Sequence, residues 1–276
     1  RFKCDWSSDV CSSDLVVAEW RVPHFEKMLY DQAQLVMVYL EAAQATGRRD
    51  FAAVAADTIG YVLREMTDEA GGFYSAEDAD SVPPEEAHEP APHRREGAFY
   101  LWTDSEVRAL LGDDAPLVLA HLGIDAEGNA PADPQQEFTG KNIPYVRESV
   151  DAIADSQGRA ASDVSARIDR ARLALYQARL ARPRPHRDDK VLTAWNGLMM
   201  AALARAARVL PALLGSPDAG EAARGAAIRA ARFLRETMWD AGTGRLLRRW
   251  RAGNAEIDAY AEDYASLIWG LLELFQ

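Results

Sequence analysis

Apolar residues recur every three to four positions along much of the chain, and this spacing predicts amphipathic helices. The first two helices are predicted at residues 30–46 and 51–66. Between them, Gly47 is typical of a helix C-terminus and Asp50 is typical of a helix N-cap. Because the connection is short, the two segments predict an antiparallel helical hairpin.

The same arrangement returns in the second half of the chain. Residues 193–210 are apolar on all sides, which predicts a helix buried on both faces, and residues 221–238 form its amphipathic outer partner. Another apolar helix is predicted at 260–275. The ends of the two outer helices also match, because VLREMTDEAGGF (62–73) parallels FLRETMWDAGTGRL (233–246). Repeated hairpins with long connections predict an all-α fold, an α/α toroid with short β-hairpins in its loops.

The middle of the chain has a different pattern. Two aromatic segments that begin with glycine, GGFYSA (71–76) and GAFYLW (97–102), predict two small strands. The segment between them is rich in proline and charge, which predicts an exposed loop. Beyond it the sequence predicts two short helices, at 104–111 and 115–122. A loop is predicted at 125–147, and a third substantial helix is predicted at 166–180.

The first fifteen residues, RFKCDWSSDVCSSDL, resemble nothing that follows them. Residues 5–15 back-translate into a common sequencing-adapter oligonucleotide, so we interpret 1–15 as a disordered, adapter-derived artefact and 16–276 as a partial toroid domain. Both cysteines, Cys4 and Cys11, lie in this stretch, and their spacing is not that of a zinc site. Without further thiols, the rest of the chain fits a reducing cytosol, which predicts a cytoplasmic protein.

Composition narrows the classes of function. The 276 residues carry a net charge of −12, which argues against nucleic acid as the main partner. No uncharged apolar run reaches the roughly 18 residues of a membrane span, so no membrane is expected as a partner. The five histidines do not have metal-ligand spacing, and we expect no metal and no cofactor.

Polar and aromatic residues gather in four clusters, most of them at the start of an apolar helix. In a toroid, the starts of the inner helices converge on one mouth of a central funnel. Aromatic faces stack on sugar rings, and acids accept hydroxyl hydrogen bonds or transfer protons, so these clusters predict a carbohydrate site. The clusters are residues 22–31, 71–81 with 96–102, 188–197 and 258–265.

The first two clusters supply candidate catalytic residues. If the chain is helical from Pro23, His24 and Asp31 share a face, and the carboxylate could orient the imidazole as a general base; a capping histidine with a surface acid is the alternative. In an extended segment, Asp78 and Asp80 point to one side and could act as an acid pair. Aspartate is also a common turn residue, and this second alternative stays open.

The last cluster places Glu262 and Asp263 at the start of an inner helix, as further catalytic candidates. Capping and the helix dipole alone also favour acids at this position. A tryptophan in an apolar helix, such as Trp195, is more often a core residue than a ligand-binding one. The predicted substrate-binding residues are Tyr30, Tyr74, Glu96, Trp102, Trp195, Asn196 and Tyr264.

At these same clusters the sequence resembles a known family, the YyaL-like, spermatogenesis-associated thioredoxin-domain proteins. The motifs that carry the resemblance occur in the family's order across residues 19–276: VPHFEKMLYDQAQL, GGFYSAEDADS, EGAFYLW, GKNIP, DDKVLTAWNGLM and EDYA. The resemblance implies a thioredoxin-like domain in cis, followed by a toroid similar to six-hairpin glycosidases and to N-acylglucosamine 2-epimerase. It transfers no agreed catalytic residues.

Two functional hypotheses follow. In the first, the toroid carries acid–base chemistry on a small-molecule sugar or glycan, as an epimerase, an isomerase or a glycoside hydrolase. In the second, it is a non-catalytic scaffold that binds a glycan or a protein and is coupled to the thioredoxin-like domain. The toroid in this chain has too few hairpins for a closed ring, so we expect the chain to be a fragment of the parent protein.

Overall fold

A computed structural model describes residues 22–130 and 138–276. The chain divides into two compact units. The hairpin unit consists of Lys27–Glu77 and Arg187–Gln276, and the inserted unit consists of the described residues that precede Lys27 together with the described residues of Asp78–His186. The interpretation of residues 1–15 as adapter falls outside the described residues.

Most of the regular structure is helical. In chain order the helices are α1 (Leu29–Thr46), α2 (Arg49–Glu65), α3 (Asp104–Leu111), α4 (Ala115–Leu122), α5 (Val150–Gln157), α6 (Ala161–Arg179), α7 (Thr193–Leu214), α8 (Asp218–Phe233) and α9 (Ala261–Phe275). The strands are short: β1 (Lys27–Met28), β2 (Ala76–Glu77), β3 (Asp80–Ser81), β4 (Arg95–Glu96), β5 (Arg187–Asp188), β6 (Val191–Leu192), β7 (Trp239–Asp240), β8 (Arg245–Arg251) and β9 (Asn254–Asp258). A mainly helical fold with short β-hairpins is therefore confirmed.

The hairpin unit contains both predicted hairpins, α1–α2 and α7–α8. Helix α7 packs against α1, α8 and α9, which explains why its sequence is apolar on all sides. By length and composition α7 is also apolar enough to cross a membrane, and half of that apolar window is buried inside the protein. The antiparallel strands β1, β2 and β5 form one small sheet beside these helices, and β6, β7, β8 and β9 form another.

The repeat at the ends of the outer helices is confirmed. After α2, Thr67 forms a bridge with Phe73, and the Asp68 carboxylate accepts the Ala70 N–H at 2.8 Å. After α8, a π-helical turn (Leu234–Met238) leads into β7, where Asp240 accepts the Gly242 N–H at 2.8 Å. Each outer helix thus ends in an aspartate-closed turn after which the chain pairs back on itself, by a single bridge after α2 and by strands β7 and β8 after α8.

The inserted unit is built around two apolar clusters. Trp102, Val107, Leu117 and Ile153 belong to the larger one, which lies among α3–α6. In the smaller one, the Phe25 ring packs against Gly97, where an added Cβ would lie 2.6 Å from the ring. Since Gly97 also has a φ of +70°, it fits both the close approach and the backbone conformation.

Several predicted boundaries were wrong. GAFYLW forms a turn at 97–100 rather than a strand, and only its Trp102 pairs, in a single bridge to Asn142. In GGFYSA, only the last residue lies in a strand, β2. The third long helix begins at Ala161 instead of 166. Tertiary contacts decide these elements, because short aromatic segments are compatible with both turns and strands.

The sequence analysis missed some elements and predicted others correctly. Helix α5 and the β8–β9 hairpin were missed, and Asp50 lies in the first turn of α2 rather than at its N-cap. Gly47 does end α1, with φ +70°. The two short helices α3 and α4 lie at the predicted positions, and the described residues of 125–147 contain no helix or strand, apart from the bridge at Asn142.

Helices α7 and α9 of the hairpin unit cross at close range, at two glycines. A Cβ added to Gly197 would lie 2.5 Å from backbone atoms of Ser266, and one added to Gly270 would lie 2.6 Å from the Gly197 carbonyl oxygen. Backbone therefore meets backbone at this crossing, and neither helix has room for a side chain.

We predict that Gly197→Ala lowers the free energy of unfolding by about 1–3 kcal/mol, because the extra methyl forces α7 and α9 apart. Gly60→Ala is the matched control. Gly60 also lies inside a helix but has no atom within 4 Å of an added Cβ, so its replacement should be neutral or stabilise by up to about 1 kcal/mol. Urea unfolding of both variants tests this, and equal effects would contradict the close crossing.

Candidate functional site

The inserted unit brings His24 together with several carboxylates. The residues before α1 run past the hairpin formed by β3 and β4, in which Asp80 pairs directly with Glu96. The Glu96 carboxylate reaches this N-terminal segment through one oxygen, Oε1, which accepts the Phe25 N–H at 3.2 Å. The β3–β4 pairing thus places two acids beside the histidine segment.

Both ring nitrogens of His24 face carboxylates. Nδ1 lies 2.8 Å from Glu96 Oε1, and Nε2 lies 3.2 Å from Glu26 Oε2. Because an ionised carboxylate only accepts hydrogen bonds, the ring can satisfy both contacts only as the doubly protonated imidazolium. Burial lowers the pKa of His24, but the hydrogen bonds and charges of Glu96 and Glu26 outweigh it, so the pKa is raised from 6.5.

Asp80 differs from the acids around it. Burial raises the pKa of the Asp80 carboxyl, and the negative charges of Asp78 and Glu96 raise it further, against the charges of Arg94 and His24. The Asp80 N–H donates to Asp78 Oδ1 at 3.1 Å, which is the turn-forming role considered for Asp78. When one of two neighbouring groups favours the protonated state and the other the ionised state, the pair can supply the acid and the base of a proton-transfer reaction.

We call His24, Glu26, Asp78, Asp80 and Glu96 the histidine–carboxylate cluster. The helical argument that linked His24 to Asp31 was wrong, because α1 begins at Leu29 and His24 precedes it, outside any helix. The carboxylate that orients His24 is Glu96, which the sequence indicated only as a binding residue. Asp31 lies in the first turn of α1, in the hairpin unit.

In the hairpin unit, Asp263 is fully buried at the start of α9. Its carboxylate accepts the Ala194 N–H at 3.0 Å, the Tyr260 N–H at 2.9 Å and a hydrogen bond from Arg248 at 3.0 Å. Three donors occupy this carboxylate, so the geometry favours the capping interpretation over catalysis. The neighbouring Glu262 is 61% exposed and pairs with Arg248.

Asn196 is also fully buried, at the start of α7. Its side-chain oxygen accepts the Phe73 N–H at 2.8 Å, and its amide nitrogen donates to the carbonyls of Phe73 and Leu192 at 3.0 and 2.9 Å. These bonds use three of the four that an asparagine amide can form. Asn196 therefore holds the turn after α2 against the start of α7.

The aromatic candidates lie in different surroundings. The rings of Trp195 and Tyr30 meet edge to face at 4.8 Å, beside the core of the hairpin unit. The Tyr74 hydroxyl donates to Asp68 at 2.7 Å, and burial together with this bond raises the pKa of Tyr74 to about 12. The Tyr264 hydroxyl accepts the Leu246 N–H at 3.1 Å.

Trp102 is buried in the inserted unit, where the Arg182 guanidinium lies 3.9 Å from the ring centroid. Its carbonyl accepts a hydrogen bond from the Asn142 side chain, at 3.1 Å. Asn142 belongs to the GKNIP motif and is fully buried, so this motif also holds backbone together. Trp102 is a core residue of the inserted unit.

Sequence reasoning missed Glu26 and Arg248. Glu26 lies two residues after His24 in the motif VPHFEKMLYDQAQL, so its position there was an available signal, whereas Arg248 lies outside the motifs and meets Glu262 and Asp263 only through the fold. Within 22–130 and 138–276, no group of three or more His, Cys, Asp or Glu side chains could hold a metal ion.

Comparison with known proteins shows to which family the chain belongs. No protein-family model matches the chain. Spermatogenesis-associated protein 20 of Mus musculus is 40% identical over 278 residues, which cover 94% of this chain and 34% of that protein. The protein of the same name in Homo sapiens is 39% identical, with the same coverage of both chains. The chain belongs to the family of spermatogenesis-associated protein 20.

The resemblance that the motifs indicated is thus confirmed. This chain spans about a third of the length of its relatives in the spermatogenesis-associated protein 20 family. Two solved structures are also similar, a sugar epimerase from a ruminal bacterium and cellobiose 2-epimerase from Spirochaeta thermophila. They are 12% and 13% identical, cover 91% and 92% of this chain and 70% and 72% of their own, and have TM-scores of 0.26 and 0.24. Scores this low do not establish a shared fold.

We predict that Asp263→Asn lowers the free energy of unfolding by about 2–4 kcal/mol, because the buried amide nitrogen would face N–H donors and Arg248 would lose its buried partner. The adjacent Glu262→Gln is the control. It removes an exposed ion pair, which should cost less than about 1 kcal/mol. Chemical unfolding followed by circular dichroism measures both, and equal stabilities of Asp263→Asn and the unmodified chain would contradict the capping role.

Proposed function

We propose that the protein to which this chain belongs acts on sugars by proton transfer, as an epimerase or isomerase, with the histidine–carboxylate cluster as its acid–base site. The observation that carries the proposal is the position of His24 between two carboxylates, at 2.8 Å and 3.2 Å. A charged imidazolium beside an acid with a raised pKa, Asp80, supplies both a proton donor and a proton acceptor in one unit.

The chemistry would begin with an open-chain sugar, whose carbonyl activates the neighbouring carbon–hydrogen bond. A carboxylate of the cluster would accept the proton from that carbon, and the electron pair would move towards the carbonyl oxygen. His24 would donate a proton to this oxygen, which stabilises the charge that develops there. A second, protonated carboxyl group of the cluster, on the opposite face of the carbon, would then supply the new proton, and the hydroxyl proton would return to His24. Exchange of protons between the two carboxyl groups and solvent would restore their starting states and complete an epimerisation.

This assignment changes the role first considered for His24. A ring that donates through both nitrogens has no free lone pair, so His24 would act as the acid, and Asp80 or Glu96 as the base. Hydrolysis of a glycoside would need the same two kinds of group and is the second form of the chemistry. Asp31 and Glu262 stay predicted catalytic residues, and both lie in the hairpin unit.

The wider parts of the proposal are an α/α toroid formed by the repeated hairpins, a thioredoxin-like domain in cis and a cytoplasmic location. The repeat of inner helix, outer helix and aspartate-closed turn supports the toroid. A sugar or glycan is the proposed partner, in keeping with the net charge of −12, which disfavours nucleic acid.

A binding scaffold without catalysis is the second candidate. It is favoured by the finding that Asn142, Asn196 and Asp263, which belong to the family motifs, make structural hydrogen bonds while buried. If most motif residues maintain the fold, the motifs by themselves do not require catalysis. The two candidates differ in whether the histidine–carboxylate cluster turns a ligand over.

The test uses the full-length protein that carries this segment, incubated with sugars and N-acyl sugars in D2O while NMR follows the protons next to the carbonyl carbon. We expect deuterium to enter one substrate, and His24→Gln or Asp80→Asn to slow its entry by about 10²–10⁴-fold. The control variants His88→Gln and Asp163→Asn lie at exposed positions and should keep the rate. Binding of a sugar without exchange or cleavage would support the scaffold instead.

A further inference from the structure

A polar pocket of about 350 Å³ lies in the inserted unit, and none of the described residues that line it belongs to the histidine–carboxylate cluster. Two cations and two carboxylates line the pocket, together with apolar side chains such as Leu101. The charged residues are Lys141, Arg182, Glu85 and Glu106. A pocket of this volume accommodates a small organic molecule and is larger than a simple ion needs.

Arg182 is a buried cation in the wall of this pocket, with a side chain that is only 7% exposed. Its Nη1 group donates to the carbonyl oxygens of Phe99 and Leu101, at 3.0 and 2.6 Å, and its Nη2 group donates to Glu106 at 3.2 Å. The guanidinium also packs on the Trp102 ring. Of its five N–H donors, two, on Nε and Nη2, have no acceptor among the described residues. Arg182 therefore retains as many donors as a bidentate carboxylate takes.

Lys141, from the GKNIP motif, is the second cation at the pocket, and its side chain is 18% exposed. Its ammonium group donates to Glu85 Oε1 at 2.5 Å. An ammonium group has three N–H donors, so two of them have no acceptor in the part of the chain that the structure describes. A carboxylate has about four acceptor positions, so Glu85, which is 54% exposed, can accept a further hydrogen bond.

The balance of donors and acceptors indicates which class of ligand fits the pocket. Arg182 and Lys141 each retain two N–H donors. The Glu106 carboxylate is already occupied, because it accepts from the Thr103 N–H and hydroxyl, at 2.8 and 2.9 Å, as well as from Arg182. Glu85 is thus the carboxylate with room for a donor. A ligand that carries a carboxylate beside a hydroxyl or ammonium group matches this arrangement.

We propose that this pocket binds a small carboxylic acid that carries a hydroxyl or amino group next to its carboxylate. The ligand carboxylate would accept hydrogen bonds from Arg182 and Lys141, and the neighbouring hydroxyl or ammonium group would donate to Glu85. A sugar acid and an amino acid are the two sources of this chemistry. The proposal is independent of the proposed function, because the histidine–carboxylate cluster does not line this pocket.

The test measures binding of two matched pairs of ligands to the full-length protein that carries this segment, by isothermal titration calorimetry at low salt. D-Gluconate represents the sugar acids, and D-glucose is its control without a carboxylate. L-Alanine represents the amino acids, and propionate is its control without an amino group. We expect gluconate or alanine to bind at least about tenfold more tightly than its control, and the one that binds identifies the source.

Variants of the protein locate the binding. Lys141→Met removes one cation and Arg182→Lys removes the planar fork of the other, so each should weaken the bound acid by about tenfold or more. Arg159→Met is the matched control, since Arg159 is a cation of the inserted unit that pairs with Asp163 at 3.1 Å, outside the pocket. His24→Gln should also leave this binding unchanged. Circular dichroism of each variant verifies that it is folded.

Three results would overturn the proposal. The first is that neither gluconate nor alanine binds, and the second is that glucose and propionate bind as tightly as their partners. The third is that a bound acid keeps its affinity in Lys141→Met and loses it in His24→Gln, which would assign the binding to the histidine–carboxylate cluster. Binding that is weakened in Lys141→Met and kept in Arg159→Met and His24→Gln supports the proposal, whether or not the cluster transfers protons.

Discussion

The buried amide of Asn196 holds the hairpin unit together at the point where its two hairpins meet. Asn196 lies in the first turn of α7, and its side chain forms hydrogen bonds with both the N–H and the carbonyl of Phe73, which lies in the turn after α2. An unpaired buried backbone group costs about 1–3 kcal/mol, so the turn after α2 can be buried only because this side chain satisfies it. Asp263 has the same role between α7 and α9, through the N–H groups of Ala194 and Tyr260.

These contacts explain why the family motifs are polar and yet lie at the starts of apolar helices. A helix start leaves backbone N–H groups without partners, and close packing of several starts excludes the water that would satisfy them. Asparagine and aspartate side chains replace that water. Gly197, next to Asn196, then allows α7 and α9 to meet backbone to backbone. The motif AWNG thus contains both the bonding group and the space for the crossing.

The long helices, the hairpin repeat and the exposed loop could be predicted from the sequence, because periodicity and turn residues are local signals. The β8–β9 hairpin and the partners of His24 could not, since they depend on pairing between distant segments. His24 and Glu96 are 72 positions apart and meet only because β3 pairs with β4. The sequence predicts Asn196 as a binding residue and Asp263 as a catalytic residue, but burial, which the sequence does not report, decides between a ligand contact and a structural bond.

The central claim is that His24 is an imidazolium held by Glu96 and Glu26, and so a proton donor. The most direct measurement is an NMR titration of the His24 ring, with nitrogen-15 shifts that report the protonation of both nitrogens. The account predicts a midpoint above the ordinary value of 6.5, with both nitrogens protonated at pH 6.5. A midpoint below 6.5, with a neutral ring that carries one proton at that pH, would contradict it.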